Sequence, residues 1–416
     1  MFLEPMRRVL ALAAIACAVL LSGCFDLSKG ESADPPAGGL TAVAGDGYVT
    51  LSWQPDSGVD YWLFWGLGTT VDPNHPSALK INATSPFTVG GLANGATYAF
   101  TINGRKDGGP GGSPAPVVTA IPRPTGIVWQ IGGAAGAADL KGVAYGGVYD
   151  AVGNAGAFFQ SVDGITWTAP TGNWAALAGG NNVNAIIDTL SRFIAVGDAG
   201  LILFTTDNTT WTAGTYAAPP PAAPKLNALS SNGARVVAVG DGGAIYYSDD
   251  SAVTWNAAAA VPAGTGNLYG VTSSTAGHWV AAGAAGTLLS STDGSNWTAV
   301  TSVTPAIGAD LRSVAVLPSI TIFTAVGAGG EVATSTDGLV WTTQVITPND
   351  LQAVAASATG TSLFVAVGKS GVVFTSFDGI TWTNRATGTL FDLLGVVNGG
   401  GQFVAVGQAG TTIYSK

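Results

Sequence analysis

The feature that most constrains this chain is a unit of about forty residues, repeated from Gly126 onward. Compare FIAVGDAGLILFTTDNTTWT at Phe193–Thr212 with VVAVGDGGAIYYSDDSAVTWN at Val236–Asn256 and FVAVGKSGVVFTSFDGITWT at Phe364–Thr383. Writing h for an apolar residue, the frame is h-x-A-V-G-x-x-G-h-h-x-S/T-x-D-G-x-T-W. Its glycine tetrads are GNAG at 153, GDAG at 197, GDGG at 240, GAAG at 283, GAGG at 327, GKSG at 368 and GQAG at 407, which makes seven copies. The tryptophans that end the unit are Trp129, Trp167, Trp211, Trp255, Trp297, Trp341 and Trp382, spaced 38, 44, 44, 42, 44 and 41 residues apart. A unit of this length cannot bury its own apolar face. Stacked radially, as four-stranded propeller blades, such units bury each other's.

A Leu-x-x-Val segment precedes each Ala-Val-Gly, at Leu140–Val143, Val183–Ile186, Leu226–Leu229, Leu268–Val271, Leu311–Val314, Leu351–Val354 and Leu393–Val396. Each unit therefore predicts an inner strand, a second strand, a tight GxxG turn, a third strand, an Asp turn and an outer strand ending in Trp-Thr. The seventh copy stops at Ile413–Lys416, before any Asp turn, whereas Trp129 has no strands before it. A strand near Ile127–Gln130 should therefore complete the blade begun at Leu393, closing the ring and removing two exposed edges. The expected fold class is all-β, a seven-bladed β-propeller over 126–416 behind an N-terminal immunoglobulin-like β-sandwich.

The frame resembles BNR/Asp-box propellers, and among them the photosystem II assembly-factor type, whose repeats run LxxV…AVGxxGxIxxTxDGGxTW. Most copies here lack one residue between Asp and Trp, as in Ser161–Trp167; Ser248–Trp255 has the full Asp-box length, with Ala252 in place of the usual Gly. A shared fold does not carry a function across.

The Asp turns contain Asp163, Asp207, Asp250, Asp293, Asp337 and Asp378. An Asp in a hairpin accepts hydrogen bonds from backbone N–H groups of its own turn, so these six are expected to be structural. Carboxylates adjoin only at Asp249-Asp250, so no metal site is expected.

Residues 39–122 carry short strand patterns at Leu40–Ala44, Tyr48–Trp53, Tyr61–Gly66, Ala78–Asn82, Phe87–Gly90, Thr97–Gly104 and Pro116–Ala120. Trp53 in VTLSW and Tyr98 in GLANGATYAF resemble the core Trp and tyrosine corner of a fibronectin type III domain. The resemblance implies a spacer or adhesive module.

Upstream, Arg7 and Arg8 precede an apolar run, Val9–Leu20, too short to span a bilayer as a mature helix. Leu21-Ser22-Gly23-Cys24 resembles a bacterial lipobox. It implies a signal peptide over 1–23, lipid attachment at Cys24, a flexible tether over 24–38 and a lipid-anchored place in the cell envelope. Phe25 in place of Asp implies the outer membrane by the Gram-negative sorting rule. Cys17 lies within the leader, so packing without disulfides must stabilise the mature chain. From Cys24 onward 13 Lys and Arg face 24 Asp and Glu. Such a surface repels phosphate backbones, which argues against a nucleic-acid partner.

Because Asp boxes occur in sialidases, glycoside hydrolysis needs a test. Those enzymes use an arginine triad and a Tyr/Glu nucleophile pair. Here the repeats hold Arg192, Arg235, Arg312 and Arg385, and one glutamate, Glu331. His75 and His278 lie in different domains, and no HxxxH, CxxC or GxSxG occurs. No catalytic residue and no cofactor are assigned, and no enzyme activity is expected.

Variation on the constant frame then marks the binding surface, on the face that carries the GxxG turns and the outer-to-inner connections. The varying residues include Asn154, Asp198, Asp241, Lys369 and Gln408 in the turns, and Asn182, Asp310 and Asp350 before the inner strands. For the last group the first reading is a turn or cap hydrogen bond at the strand start, and the alternative is a polar, mildly acidic ring at the channel mouth. Trp174 and Tyr216 in the longer connections add aromatics suited to a protein or a sugar. The expected role is protein interaction or assembly, with carbohydrate binding as the alternative and an unrecognised hydrolase behind both.

Overall fold

The computed structural model describes residues 30–220, 222–317, 321–357 and 361–415. The expected lipobox and lipid-attachment residue Cys24 lie outside them. Two compact units divide the chain, one ending at Arg123 and the other beginning at Pro124.

The first unit is built of two sheets. In one, the strands Glu31–Ala33, Tyr98–Lys106, Asp60–Leu67 and Ala78–Lys80 follow in that order, and Val118–Ala120 also pairs with Tyr98–Lys106. In the other, Thr41–Gly45, Tyr48–Ser52 and Phe87–Val89 are neighbours. Alternation in Tyr48–Ser52 turns Val49 and Leu51 inward, where they join Trp53, Leu63, Phe100 and Ile102 in one core. The Tyr98 hydroxyl accepts from Ala93 N–H at 3.1 Å, a local structural bond. Glu31–Ala33 falls in the stretch expected to be a tether. It forms an edge strand opposite Gly104–Lys106, with only Ala33 buried, so its sequence reads as polar linker.

The second unit is all-β with a propeller-type arrangement. Among the described residues it has seven sheets of three to five strands. Their innermost strands are Leu140–Tyr145, Val183–Asp188, Leu226–Ser231, Leu268–Ser273, Leu311–Leu317, Leu351–Ala356 and Leu393–Gly399. Each packs on the next, and the last packs on the first. The second strands, such as Phe193–Gly197, are buried at every residue but Ile322 because neighbouring sheets cover both faces. Seven apolar clusters fill the seven spaces between sheets. The repeat tryptophan of each sheet packs toward the preceding sheet, so Trp255 joins Ile194 and Val196 while Trp341 joins Val280 and Ala282. Full burial of such a ring contributes about 4–6 kcal/mol at most by area.

The seventh sheet joins two distant parts of the chain. Gln130–Ile131 pairs antiparallel with Thr412–Ser415, Ile131 opposite Ile413. The turn is shared as well. Ser415 Oγ accepts from Gly126 N–H at 2.9 Å, as Ser161 Oγ accepts from Gly164 N–H at 2.8 Å in the first sheet. Trp129 Nε1 donates to Gly126 O at 2.8 Å, as Trp297 Nε1 donates to Gly294 O at 3.1 Å.

The four-strand expectation varies from sheet to sheet. In the first, the outer segment makes a single bridge, Gln160 to Thr168, because Pro170 follows and has no N–H to extend the ladder. The third and fifth sheets gain a fifth, parallel strand, Thr215–Tyr216 and Ser302–Thr304, from the preceding connection.

Candidate binding face at the channel mouth

The geometry of the face begins with a repeated irregularity. In all seven sheets the ladder between first and second strands shifts register around the second residue of the inner strand, as between Leu140 and Gly142. The residue before the shift is fully buried each time: Leu140, Val183, Leu226, Leu268, Leu311, Leu351 and Leu393. A bulged residue leaves the ladder and its side chain is re-aimed. The seven bulged residues are Lys141, Asn184, Asn227, Tyr269, Arg312, Gln352 and Leu394. All seven line one central cavity of about 900 Å³, with Lys225, Asp188 and Asp310. Small third residues let the inner strands approach: a Cβ at Gly270 would lie 2.9 Å from Ser313 Cα.

Side chains from the GxxG turns meet this ring. Asn184 Nδ2 donates to Asp198 Oδ1 at 2.8 Å and Asn227 Nδ2 to Asp241 Oδ1 at 2.7 Å. Lys141 Nζ donates to Asn184 Oδ1 at 3.0 Å. Arg312 Nη1 donates to Gln352 Oε1 at 2.9 Å, and Nη2 to Asp350 Oδ2 at 3.3 Å. Lys369 Nζ lies 2.7 Å from the same oxygen. Lys369, the Gly329 N–H and Arg312 together hold the Asp350 pKa below its usual value. Burial pushes the Asp198 pKa up, but the amides of Asn184 and Asn182 outweigh it, so the net shift is downward. Burial lowers the Lys141 pKa against the attraction of Asp198 and Asp139.

The residues before the inner strands bind two turns at once. Asn182 O accepts from Asp198 N–H of its own sheet at 2.9 Å, while Asn182 Oδ1 accepts from Ala155 N–H of the preceding sheet at 2.9 Å. Asn267, Asp310, Asp350, Asp392 and Asp139 repeat the side-chain bond, to Gly242, Ala285, Gly329, Ser370 and Ala409. The expected cap is thus a tie between sheets. Lys225 stands at this position in the third sheet and cannot accept. The tetrad's first glycine is required there, since a Cβ at Gly153 would lie 2.0 Å from Asp139 O.

Of the residues marked from sequence, Asn154, Asp198, Asp241, Lys369 and Gln408 occupy GxxG turns on this face. The two aromatics do not stand out as exposed binders. Trp174 lies in a short helix, Trp174–Ala178, is 4% exposed, and packs at a tilt against Phe158 and edge-on against Trp211, with centroids at 4.5 and 4.6 Å. Its Nε1 donates to Gly156 O at 2.8 Å. Tyr216 is half-buried, meets Tyr246 edge-on, and donates to Gly200 O at 3.2 Å. Both secure connections onto turn glycines. The bulged ring went unmarked in the sequence; its signal is the variable second residue of each Leu-x-x-Val.

The Asp turns lie elsewhere and act as expected of structural turns. Asp163 Oδ1 accepts from Ile165 N–H and Thr166 N–H, both at 2.8 Å, and from the Ser161 hydroxyl at 2.9 Å. Asp207, Asp293, Asp337 and Asp378 repeat the pattern, and Asp250 uses Thr254 N–H and Ser248. At Asp163, backbone donation from Thr166 and Ile165 lowers the carboxyl pKa.

The family described as photosynthesis system II assembly factor YCF48 matches residues 149–411, which hold the repeats. The chain belongs to that family. Among solved structures, YCF48 from Cyanidioschyzon merolae is 15% identical, with a TM-score of 0.54 over 69% of this chain and 98% of that one. A structure of YCF48 bound to D1 peptide is 18% identical, with a TM-score of 0.55 over 69% and 94%. The WD40 β-propeller domain of Doa1 is 11% identical, with a TM-score of 0.55 over 70% and 97%. At these identities the likeness to the YCF48 structures shows the propeller-type fold alone. No curated protein matches the chain.

Proposed function

We propose that this chain is a binding scaffold of the cell envelope, holding a carboxylate-bearing segment of a partner protein at the channel mouth. The ring of seven bulged side chains around a 900 Å³ cavity carries this reading. Such a ring varies its chemistry without disturbing the buried leucines beside it. The chain has a net charge of −10, yet Lys141, Lys225 and Arg312 line the cavity and Lys369 stands at its rim. Arg312 and Lys369 already share a carboxylate, Asp350, a contact that supports carboxylate recognition at this rim. A YCF48 structure with bound D1 peptide adds a family precedent for a polypeptide ligand.

In this reading the seven sheets are seven blades and the first unit is a fibronectin type III-like spacer. The chain is lipid-anchored through Cys24, with the outer membrane as its site. It is a binder and no enzyme. The backbone amides that hold the Asp turns support this, because they favour a permanently ionised carboxylate that makes a poor general acid. Carbohydrate binding loses its exposed aromatic with the burial of Trp174.

Crosslinked capture from the native envelope tests the proposal. The intact protein should recover a partner, and the Lys141→Gln, Arg312→Gln double variant should recover at least about tenfold less. Recovery of the scaffold alone would overturn the reading. Incorporation of labelled palmitate, lost in Cys24→Ser, tests the anchor.

A further inference from the structure

Each propeller sheet ends in an outer strand with one free edge; five of the seven edges are engaged by the connection arriving from the preceding sheet, and a sixth by one side chain of the preceding sheet's outer strand. Gly133 N–H donates to Ile165 O at 2.8 Å in the first. In the second, Asn173 brackets Trp211, donating to its carbonyl at 2.8 Å and accepting from its N–H at 2.7 Å. In the third, Thr215 N–H meets Val253 O at 2.9 Å and Ala217 N–H meets Trp255 O at 2.8 Å. Trp297 N–H donates to Ala260 O at 2.9 Å in the fourth. Ser302–Thr304 lies parallel along Val340–Thr342 in the fifth. In the sixth, Gln344 Nε2, a side chain of the fifth sheet's outer strand Val340–Val345, reaches Ile380 O at 2.6 Å. The corresponding groups in the seventh sheet are the Ile127 carbonyl and the Trp129 N–H and carbonyl. Among the described residues none of them has a hydrogen-bond partner.

The connection that would serve this edge, residues 383–392, is shorter than the segments 212–225 and 298–310 that supply the two parallel strands. Beside the unserved edge lies an apolar groove of about 610 Å³, lined by Ile131, Gly132, Ala134, Leu390, Phe391 and Thr412. Leu390 is 86% exposed and Ile131 58%. Ala409 also lines the groove, which makes it continuous with the channel-mouth face.

We infer that the outer edge of the seventh sheet is a strand-addition site. It accepts an extended segment of a partner protein, parallel to Ile127–Ile131, in the place Thr215–Tyr216 and Ser302–Thr304 take in their own sheets. Edge strands with unsatisfied backbone groups template such pairing, and pockets for alternate side chains add selectivity. The incoming backbone donates to Ile127 O and Trp129 O and accepts from Trp129 N–H. An apolar side chain enters the groove. The inference goes beyond the channel-mouth reading and does not rest on it.

The test uses the purified full chain and a synthetic peptide copying residues 299–306, which include the fifth sheet's own added strand. Amide hydrogen exchange should slow at least fivefold in residues 126–132 when peptide binds, with no change at 336–345. Methylating the peptide nitrogens at the positions of Ser302 and Thr304, the counterparts of Thr215 and Ala217, should weaken binding at least tenfold. Leu390→Asp, at a largely exposed side chain, should do the same, whereas Arg312→Gln should leave it intact. No protection at about 1 mM peptide overturns the inference. So does equal binding of the methylated peptide, or strong protection of 126–132 in the free protein, which would show the edge covered by its own chain.

Discussion

Asp139 Oδ1 accepts a hydrogen bond from the backbone N–H of Ala409 at 2.9 Å, across 270 residues of chain. It is the same bond that Asn182 makes to Ala155 and Asp310 to Ala285. The contact that closes the ring is therefore no weaker in kind than those within it.

Removing that acceptor should loosen the closure. Asp139→Ala is expected to cost about 0.5–1.5 kcal/mol, while Asp139→Asn keeps an oxygen in place and should be near neutral. The converse holds at the position where the tie is missing, so Lys225→Asn should stabilise by a similar amount through Ala199 N–H. Urea denaturation of the three variants measures both effects.

Asp150 gives the protein an unusual pH response. It is fully buried in the second strand of the first sheet, and burial pushes its pKa up to about 7 against the hydrogen bond from Gln160 Nε2 at 3.0 Å. An unfolded aspartate titrates near 3.9, so between about pH 4 and 7 the folded state binds more protons and stability falls as pH rises. Below about pH 4 the Asp turns act in the opposite sense. Their lowered pKa values mean stability is lost as they protonate. Maximum stability is thus expected near pH 4–5. Asp150→Asn should flatten the decline toward pH 8, recovering at most about 4 kcal/mol. Denaturation at pH 5 and pH 8 reads the difference.

Trp174→Ala should act on the core. It removes a ring packed between Phe158 and Trp211, so a loss of about 3–5 kcal/mol is expected. A thermal melt should shift strongly while partner capture by the surviving folded fraction stays unchanged. A lost ligand with an unchanged melt would restore Trp174 as a contact residue.

Partner capture at the channel mouth should be sensitive to salt. Lys141, Lys225 and Arg312 are only partly screened by the cavity, so raising salt from about 0.1 to 0.5 M should weaken binding several-fold. Arg312→Gln should reduce that dependence as well as the affinity. The measurement is the apparent Kd of the captured partner at the two salt concentrations.

The repeat exposed much of the architecture to the sequence because each unit carries its own turn chemistry. The Ser-x-Asp-Gly pattern sets its hydrogen bonds locally, and Trp129 was recognisable as an outer strand with no inner partners. What stayed hidden depends on which units are neighbours. Asn182 and Asp310 read as local caps because one copy of the repeat does not show that its amide-bearing turn lies in the preceding sheet. Lys141 went unmarked and Arg312 was weighed only against an arginine triad, because a bulge cannot be told from a regular strand by residue type. Trp174 read as exposed because it sits in a connection, and its indole bond to Gly156 O is set by the fold around it. Glu31–Ala33 gave no strand signal because a polar edge strand needs only its backbone.

The turn assembled from Ser415 and Gly126 has a consequence for biogenesis. A polypeptide emerging amino end first holds Trp129 and Gln130 long before the strand that receives them has been made. Any product truncated ahead of Ile413 would leave raw sheet margins on both sides of the gap, open to proteolysis and to association with other unfinished copies. Completeness is thus built into the fold as a condition for survival, and proteases need no separate signal to tell finished molecules from fragments.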